Sequence, residues 1–402
     1  MTLTARDPRA PFVLTPPVMS LERRARGYDI PLALIALVLS LIGALLVWAA
    51  TRDQQIAQGA NPQAFLYRHL FNVVIATGLM LAAARLDARL LRLFGPVVYL
   101  ASLGGLVAVF AVGTTINGAK AWIRVGGGFE LQPSEFMKLG LIVGMAVLFT
   151  RRADERRSRS DRADEGDEDE PPSTTDVVFA IGLIAVPLGL IMLQPDLGSA
   201  MVLACATFGV LVAAGVRARW TIGLIALGVL AAIISVKAGV LQGYQLDRVT
   251  SFTHPNHDVQ GAAYNVTQAH IAIADGGLFG TGLFQGPQTN GGFVPEQQTD
   301  FIFSVAGEEF GLFGGGLVVA LFGALCWRGL RIARDADDAG RLVAVGIVCW
   351  FAFQAFQNIG MNLGLTPVTG VPLPFVSYGG SSMFAQGLAI GLLQAVHRRS
   401  LD

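Results

Sequence analysis

Residues 30–50, IPLALIALVLSLIGALLVWAA, run without a single charged side chain. A helix crossing the hydrocarbon core of a bilayer needs about 20 apolar residues, and this run has that length. Outward from it, comparable runs return at 67–84, 91–113, 134–150, 176–193, 197–215, 220–241, 300–327, 342–363 and 376–396. The fold class is therefore read as an all-α polytopic membrane protein with about ten transmembrane helices. Composition agrees. Of 402 residues, 53% are hydrophobic and 14% charged, with a mean hydropathy of +0.55; an ordinary soluble domain carries roughly 25% charged residues. These values exclude a disordered chain, a coiled coil and a basic nucleic-acid binder. Lys+Arg and Asp+Glu both number 29, so net charge names no partner. Cys205, Cys326 and Cys349 lie in apolar stretches, without the spacing of a disulfide framework or a zinc site.

Basic residues set the expected orientation. With a cytoplasmic N-terminus, the inside segments are 1–29, 85–92, 151–175, 216–219, 328–341 and 397–402, and they carry most of the Lys and Arg. That is the bias the positive-inside rule demands. Both termini are then cytoplasmic: 1–29 a tail, 30–396 the membrane domain, 397–402 a short end. The first apolar run is too long for a signal peptide and lacks a small-residue cleavage site. Within 151–175, the mixed-charge stretch 151–172 is expected to be a disordered, solvating loop. Residues 242–299 form a large extracellular loop between helices seven and eight. Its Leu278, Phe279, Leu283, Phe284, Phe293 and Val294 point to short helices on the membrane surface or tucked against the bundle.

Polar residues at the edges of the apolar slab are the informative ones, and they gather on the expected outer side. Ahead of the fourth helix come Lys120 and Arg124, then Gln132, Pro133, Ser134, Glu135 and Lys138. Pro133 suits a first helical turn, and Ser134, Glu135 and Lys138 share a face. They read either as a cap with an internal ion pair or, with Lys120 and Arg124, as a cationic wall for an anionic lipid headgroup. Gln194-Pro195-Asp196 repeats that opening; Asp196 reads as an N-cap, and the two entrances could line one cavity. Asp300 follows Glu296 where polar sequence turns apolar without turn residues between. It is either a helix cap or a carboxylate at the water–lipid boundary, where partial desolvation suits a general base. Glu308 and Glu309 fall about 12–14 Å deeper at 1.5 Å per residue and should be paired, Lys138 being one possible partner. Three prolines within 367–374 forbid regular helix, so 367–382 reads as a rigid re-entrant loop closing a wet cavity.

Several blocks, in order, resemble the SEDS family (shape, elongation, division and sporulation proteins). They are Asn117-Gly118-Ala119 with Trp122-Ile123; Gln132-Pro133-Ser134-Glu135 with Lys138; Gln194-Pro195-Asp196-Leu197-Gly198; Pro295-Glu296 with Thr299-Asp300-Phe301-Ile302-Phe303; and Gly370-Val371-Pro372-Leu373-Pro374 with Ser377-Tyr378-Gly379-Gly380-Ser381. The stretch Arg248–Phe252 with Asn265–Ala269, and the Pro-Glu-Gln-Gln-Thr-Asp form, resemble the elongation (RodA) branch more than the division (FtsW) branch.

The resemblance implies a ten-helix peptidoglycan glycosyltransferase in the bacterial cytoplasmic membrane. Such an enzyme polymerises lipid II at the outer face during elongation and shape maintenance, beside a class B penicillin-binding protein. It places the family's essential aspartate at Asp300. The mechanism expected has Asp300 as base, with Lys120, Arg124, Lys138 and Arg248 stabilising the leaving pyrophosphate. Glu135, Glu296 and Ser377 complete the substrate-binding set. No cofactor is certain; a divalent cation (Mg or Mn) held by Asp300 or Glu296 is possible chemistry, without metal-ligand spacing to support it. Rival readings are a lipid II flippase, the division paralogue, an ion-coupled transporter, and a scaffold that only recruits the penicillin-binding protein.

Overall fold

The computed structural model describes residues 27–116, 119–126, 129–163, 171–237 and 262–401. The apolar runs become α1 (Ile30–Ala57), α2 (Ala64–Ala83), α3 (Ala88–Val112), α4 (Pro133–Ala163), α5 (Thr174–Leu193), α6 (Leu197–Ala213), α7 (Ala218–Lys237), α10 (Ile302–Asp335), α11 (Asp338–Asn362) and α12 (Gly380–Arg399). Between α7 and α10 lie α8 (Ala262–Gly276) and α9 (Pro287–Gly291). Seven described helices, α1 to α5 with α10 and α11, are long and apolar enough to cross a membrane; α6 and the apolar part of α7 are shorter. The chain is a polytopic helical membrane protein.

Short polar side chains start these helices by satisfying the first free N–H groups. Asp29 accepts from Leu32 N–H, Asp196 from Ser199 N–H and Asp337 from Gly340 N–H, and Ser173 with Asp176 forms a capping box on α5. α4 and α11 run through the centre and bury most of their apolar length; Met137, Leu141, Ile142, Met145, Ile347, Trp350 and Phe351 form the middle of the core. The flanking helices turn Val74, Leu100, Val178, Leu193 and Ile222 outward. Such apolar exposure is ordinary where the surrounding solvent is hydrocarbon.

The bundle has two distinct ends. At one, Asp29 N–H donates to Gln394 (2.7 Å), Gln394 donates back to the Asp29 carbonyl (2.7 Å), and the Asp29 carboxylate pairs with Arg328. The starts of α1 and the end of α12 thus meet beside the arginines of α10. At the other end, Gln132 donates to Asp196 (3.1 Å) and Ser134 lies against Ser199 (3.4 Å). The two Gln-Pro entrances therefore meet.

Three expectations need correction. The chain is not wholly α-helical: β1 (Thr114–Ile116), β2 (Ala119–Gly126) and β3 (Phe129–Leu131) form a small antiparallel sheet in that order where loop was expected. Trp122, Ile123 and Val125 favour strand, and pairing satisfies backbone that has left the helix before it. The sheet is tied to α12 by Ser381, whose hydroxyl donates to Glu130 O (2.7 Å) and accepts from Gln132 N–H (3.1 Å).

The charged stretch is also not loop from its start: α4 continues to Ala163, with Arg152 paired to Glu155 (3.9 Å) and Arg152 and Arg156 both held by buried Asp176. Residues 164–170 lie outside the described residues. The last helix starts at Gly380 rather than 376, since the prolines before it leave only irregular backbone. In the 242–299 stretch, α8 and α9 are the short tucked helices expected, and 242–261 lie outside the described residues.

Candidate active site

Ahead of α10 the chain makes a tight turn over Glu296–Asp300. The N–H groups of Thr299, Asp300 and Phe301 all point back to the carbonyl of Glu296 (3.1, 3.0 and 3.3 Å), and Glu296 itself has φ 54°. The carbonyls of Gln298, Thr299 and Asp300 are taken by two other parts of the molecule, the 377–378 stretch and α11. Tyr378 N–H donates to Gln298 O (2.9 Å), the Ser377 hydroxyl donates to Thr299 O (2.5 Å), and Asn358 and Asn362 donate to Asp300 O (2.8 and 3.2 Å). The Gln297 amide donates to Ala50 O at α1 (2.5 Å) and to Thr289 O in α9 (3.1 Å). Asp300 is half-buried. Its backbone is clamped from several sides, which fixes where the carboxylate projects.

The proline-rich stretch 366–379 closes over this turn without regular structure. Irregular backbone at membrane depth must find partners inside the protein, and α11 supplies them. Gln354 donates to Pro372 O (2.8 Å), Gln357 to Pro367 O (3.0 Å) and Asn358 to Val371 O (2.8 Å). Gln354, Gln357, Asn358 and Asn362 are buried, and sequence reasoning passed over them. Their spacing was the available signal: offsets of three, four and eight put all four amides on one face of an apolar helix.

The cations do not form one wall. Lys138 is buried against Glu135 (2.7 Å), donates to Gln354 Oε1 (3.3 Å) and stands 4.7 Å from the Trp350 ring centre. The pair is sealed inside the bundle, the internal-ion-pair reading of that motif. Lys120 donates to Phe110 O (2.6 Å), and exposed Arg124 faces Glu130 across the β2–β3 pairing (3.4 Å). Arg248 lies outside the described residues. The Ser377 hydroxyl, expected to bind substrate, is used in holding Thr299 and accepting Leu373 N–H (2.8 Å). Two further cations, Arg52 over Phe284 and Arg68 over Phe65, stand near this end; Phe65 packs on Tyr378 at 5.1 Å.

Glu308 and Glu309 do not pair with Lys138. Glu308, fully buried, accepts from Gln288 N–H (2.7 Å), Thr289 N–H (2.9 Å) and the Thr289 hydroxyl (2.5 Å), and Glu309 accepts from Phe284 N–H (3.2 Å). Directly after them α10 breaks at Gly311 (φ 64°, ψ −160°). The segment 277–282 enters the gap: Thr281 and Gly282 N–H donate to the carbonyls of Glu308 and Glu309 (2.9 and 3.1 Å), while Leu312 and Phe313 N–H donate to Gly277 and Leu278 (2.9 and 3.3 Å). A Cβ on Gly311 would lie 2.4 Å from Gly280 N, so only glycine fits.

Among the described residues, no three His, Cys, Asp or Glu side chains gather closely enough to hold a metal ion. Glu296 already accepts from the Thr299 hydroxyl (3.1 Å). Asp300 and Glu296 would therefore leave a divalent cation dependent on oxygens from a bound phosphate.

Residues 30–401 match the family model described as "Cell cycle protein", which joins FtsW, RodA and SpoVE. The chain belongs to this family. This SEDS protein is 36% identical over 376 residues to the probable peptidoglycan glycosyltransferase FtsW of Tolumonas auensis, covering 92% of each chain. It is 36% identical over 378 residues to stage V sporulation protein E of Bacillus subtilis, covering 92% of this chain and 97% of that one. Its fold is similar to a chain of a peptidoglycan synthase complex that coordinates polymerization and crosslinking (TM-score 0.74, 30% identity, 93% of this chain and 98% of that one). Rod shape determining protein RodA of Thermus thermophilus is also similar (TM-score 0.66, 28% identity, 93% and 98%). Division, sporulation and rod-shape proteins all appear among these relatives of the SEDS chain.

Proposed function

We propose that this SEDS protein is a peptidoglycan glycosyltransferase that polymerises lipid II at the outer face of the bacterial cytoplasmic membrane, with Asp300 as general base. The observation carrying the reading is the Glu296–Asp300 turn, clamped at successive carbonyls yet leaving Asp300 half-buried where α10 begins. The opposite, arginine-bearing end is assigned to the cytoplasm by the positive-inside rule. Ten crossings then place both termini inside.

The substrate carries a disaccharide-peptide on a polyprenyl pyrophosphate, so its tail stays in lipid while its sugars reach water. Asp300 accepts the proton of the acceptor sugar's 4-hydroxyl. That oxygen bonds to the donor's anomeric carbon as the bond to the pyrophosphate oxygen breaks, and attack opposite the leaving group inverts the centre. The departing pyrophosphate requires cations. Lys120 and Arg124 on the β2 hairpin, and Arg248, are assigned to it; buried Lys138 serves by neutralising Glu135 beneath the site. Glu296 and Ser377 shape the turn. The likeness to a chain of a peptidoglycan synthase complex of polymerization and crosslinking supports a working complex with a crosslinking partner, which we assign to a class B penicillin-binding protein, and the Pro295–Asp300 form supports a role in elongation.

Purified chain supplied with lipid II, with and without the penicillin-binding partner, tests this. A base contributes roughly 10²–10⁴ in rate, so Asp300→Asn should lose nearly all glycan formation while still purifying as a folded, monodisperse protein. Strands made at the parental rate would remove Asp300 from the mechanism. Lipid II moved across liposomes without any polymer would identify a flippase instead.

A further inference from the structure

Glu308 has no part in the chemistry above, yet it is among the most buried charged groups of the molecule. A carboxylate withdrawn from water is costly unless its lone pairs are filled. Three donors fill them here, the N–H groups of Gln288 and Thr289 and the Thr289 hydroxyl, at 2.7, 2.9 and 2.5 Å. Hydrogen bonds to an ionised acceptor are the strong ones, so α9 is fastened to α10 at this point. The helix break locks the same junction from behind, because segment 277–282 takes the carbonyls of Glu308 and Glu309.

Thr289 passes the constraint on. Its carbonyl receives the Gln297 amide (3.1 Å), which also reaches Ala50 O (2.5 Å). Gln297 lies inside the turn that ends at Asp300. Asp300 in turn connects to Glu308 through two turns of the first half of α10. The path closes on itself: Asp300, the half-helix, Glu308, Thr289, Gln297 and back to Asp300. A closed ring with one covalent arm and one hydrogen-bonded arm resists displacement better than either arm alone.

We infer that Glu308 is a positioning residue for Asp300, acting through Thr289 and Gln297. The inference rests on Asp300 being the proton acceptor. Its loss loosens the turn without touching the substrate, so it lowers kcat and leaves KM for lipid II in place. A group that only supported folding would lower the active fraction and the melting temperature, with no change in kcat per folded molecule.

The test uses the purified full chain with lipid II and its penicillin-binding partner, rates being normalised to folded protein. Glu308→Gln replaces one acceptor oxygen by a donor facing Thr289. A small misplacement of a catalytic group is expected to lower kcat by about tenfold to a hundredfold, with KM held within roughly twofold. Thr289→Ser, which keeps the hydroxyl, should exceed Thr289→Val in kcat by about fivefold or more. Glu308→Gln combined with Gln297→Met should lose no more than the larger single loss, because both cut one path.

Parental kcat in Glu308→Gln, a loss confined to KM, or additive losses in the double variant would each overturn the inference. Should Glu308→Gln fail to fold, Thr289→Val carries the decision, and a parental kcat there overturns it. Asp300→Asn runs alongside. Full activity in that variant defeats the base assignment and this inference together, whereas a dead Asp300→Asn beside parental Glu308→Gln and Thr289→Val defeats the positioning role alone.

Discussion

Lys138 and Glu135 lie 2.7 Å apart with almost no exposure of either side chain, and only a residue-scale view explains why both persist there. Removing one partner leaves the other charge stranded, a loss of about 3–5 kcal/mol. Lys138→Met should therefore lower the unfolding temperature in detergent sharply, and adding Glu135→Leu should recover most of it, since paired buried charges can be exchanged for apolar groups at little cost. A further drop in the double variant would show that the pair does more than neutralise itself. Asn358 is the second residue to test. Asn358→Leu removes one of the two amide donors to Asp300 O, Asn362 being the other, and the donor to Val371 O, and orphaning the buried Val371 carbonyl costs about 1–3 kcal/mol. Polymerisation per folded molecule should fall with it. Asp300 was legible from its place at a polar-to-apolar boundary; the two amides that hold its carbonyl were not, because they lie 58 and 62 positions away.

At the scale of elements, α10 and α4 behave against local expectation in opposite senses. α10 looked continuous and is broken. Gly311 adopts a positive φ, and a side chain there would collide with Gly280 N. Gly311→Ala should expel segment 277–282, at a cost of about 1–3 kcal/mol for the backbone strain alone. Faster amide hydrogen exchange at Thr281, Gly282, Leu312 and Phe313 is the readout; unchanged protection would mean that the insertion tolerates a methyl group. α4 looked finished at residue 150 and continues to Ala163. Its charges pair along the helix and with Asp176 on α5. Asp176→Asn should accordingly raise amide exchange over 151–160 while leaving 135–145 protected. Mixed charge alone does not separate a solvated helix from a loop, since the deciding partner, Asp176, lies 20 positions beyond Arg156.

Over the whole molecule, one end ties Asp29, Arg328 and Gln394 together and the other gathers Asp196, Asp300 and Ser381. Orientation in the membrane assigns their roles. In a background without native cysteines, Glu296→Cys should react with an impermeant maleimide on intact cells, and Arg334→Cys only after permeabilisation. Both positions are exposed, so the reverse pattern would place Asp300 in the cytoplasm, away from the wall under construction.

Sequence alone determined the membrane class, the positions of the long helices, the cap at Asp196, the family, and the importance of the polar edge before Ile302. Each depends on local composition or on short spacing, which a chain displays without folding. Tertiary structure alone decided that Lys138 answers Glu135 rather than Glu308, that Glu308 grips α9, that three amides of α11 sustain the proline-rich stretch, and that a loop mends the broken helix. Those pairings join groups up to 35 positions apart, and hydrogen bonds inside an apolar bundle form only once packing has excluded water and left each polar group one remaining partner.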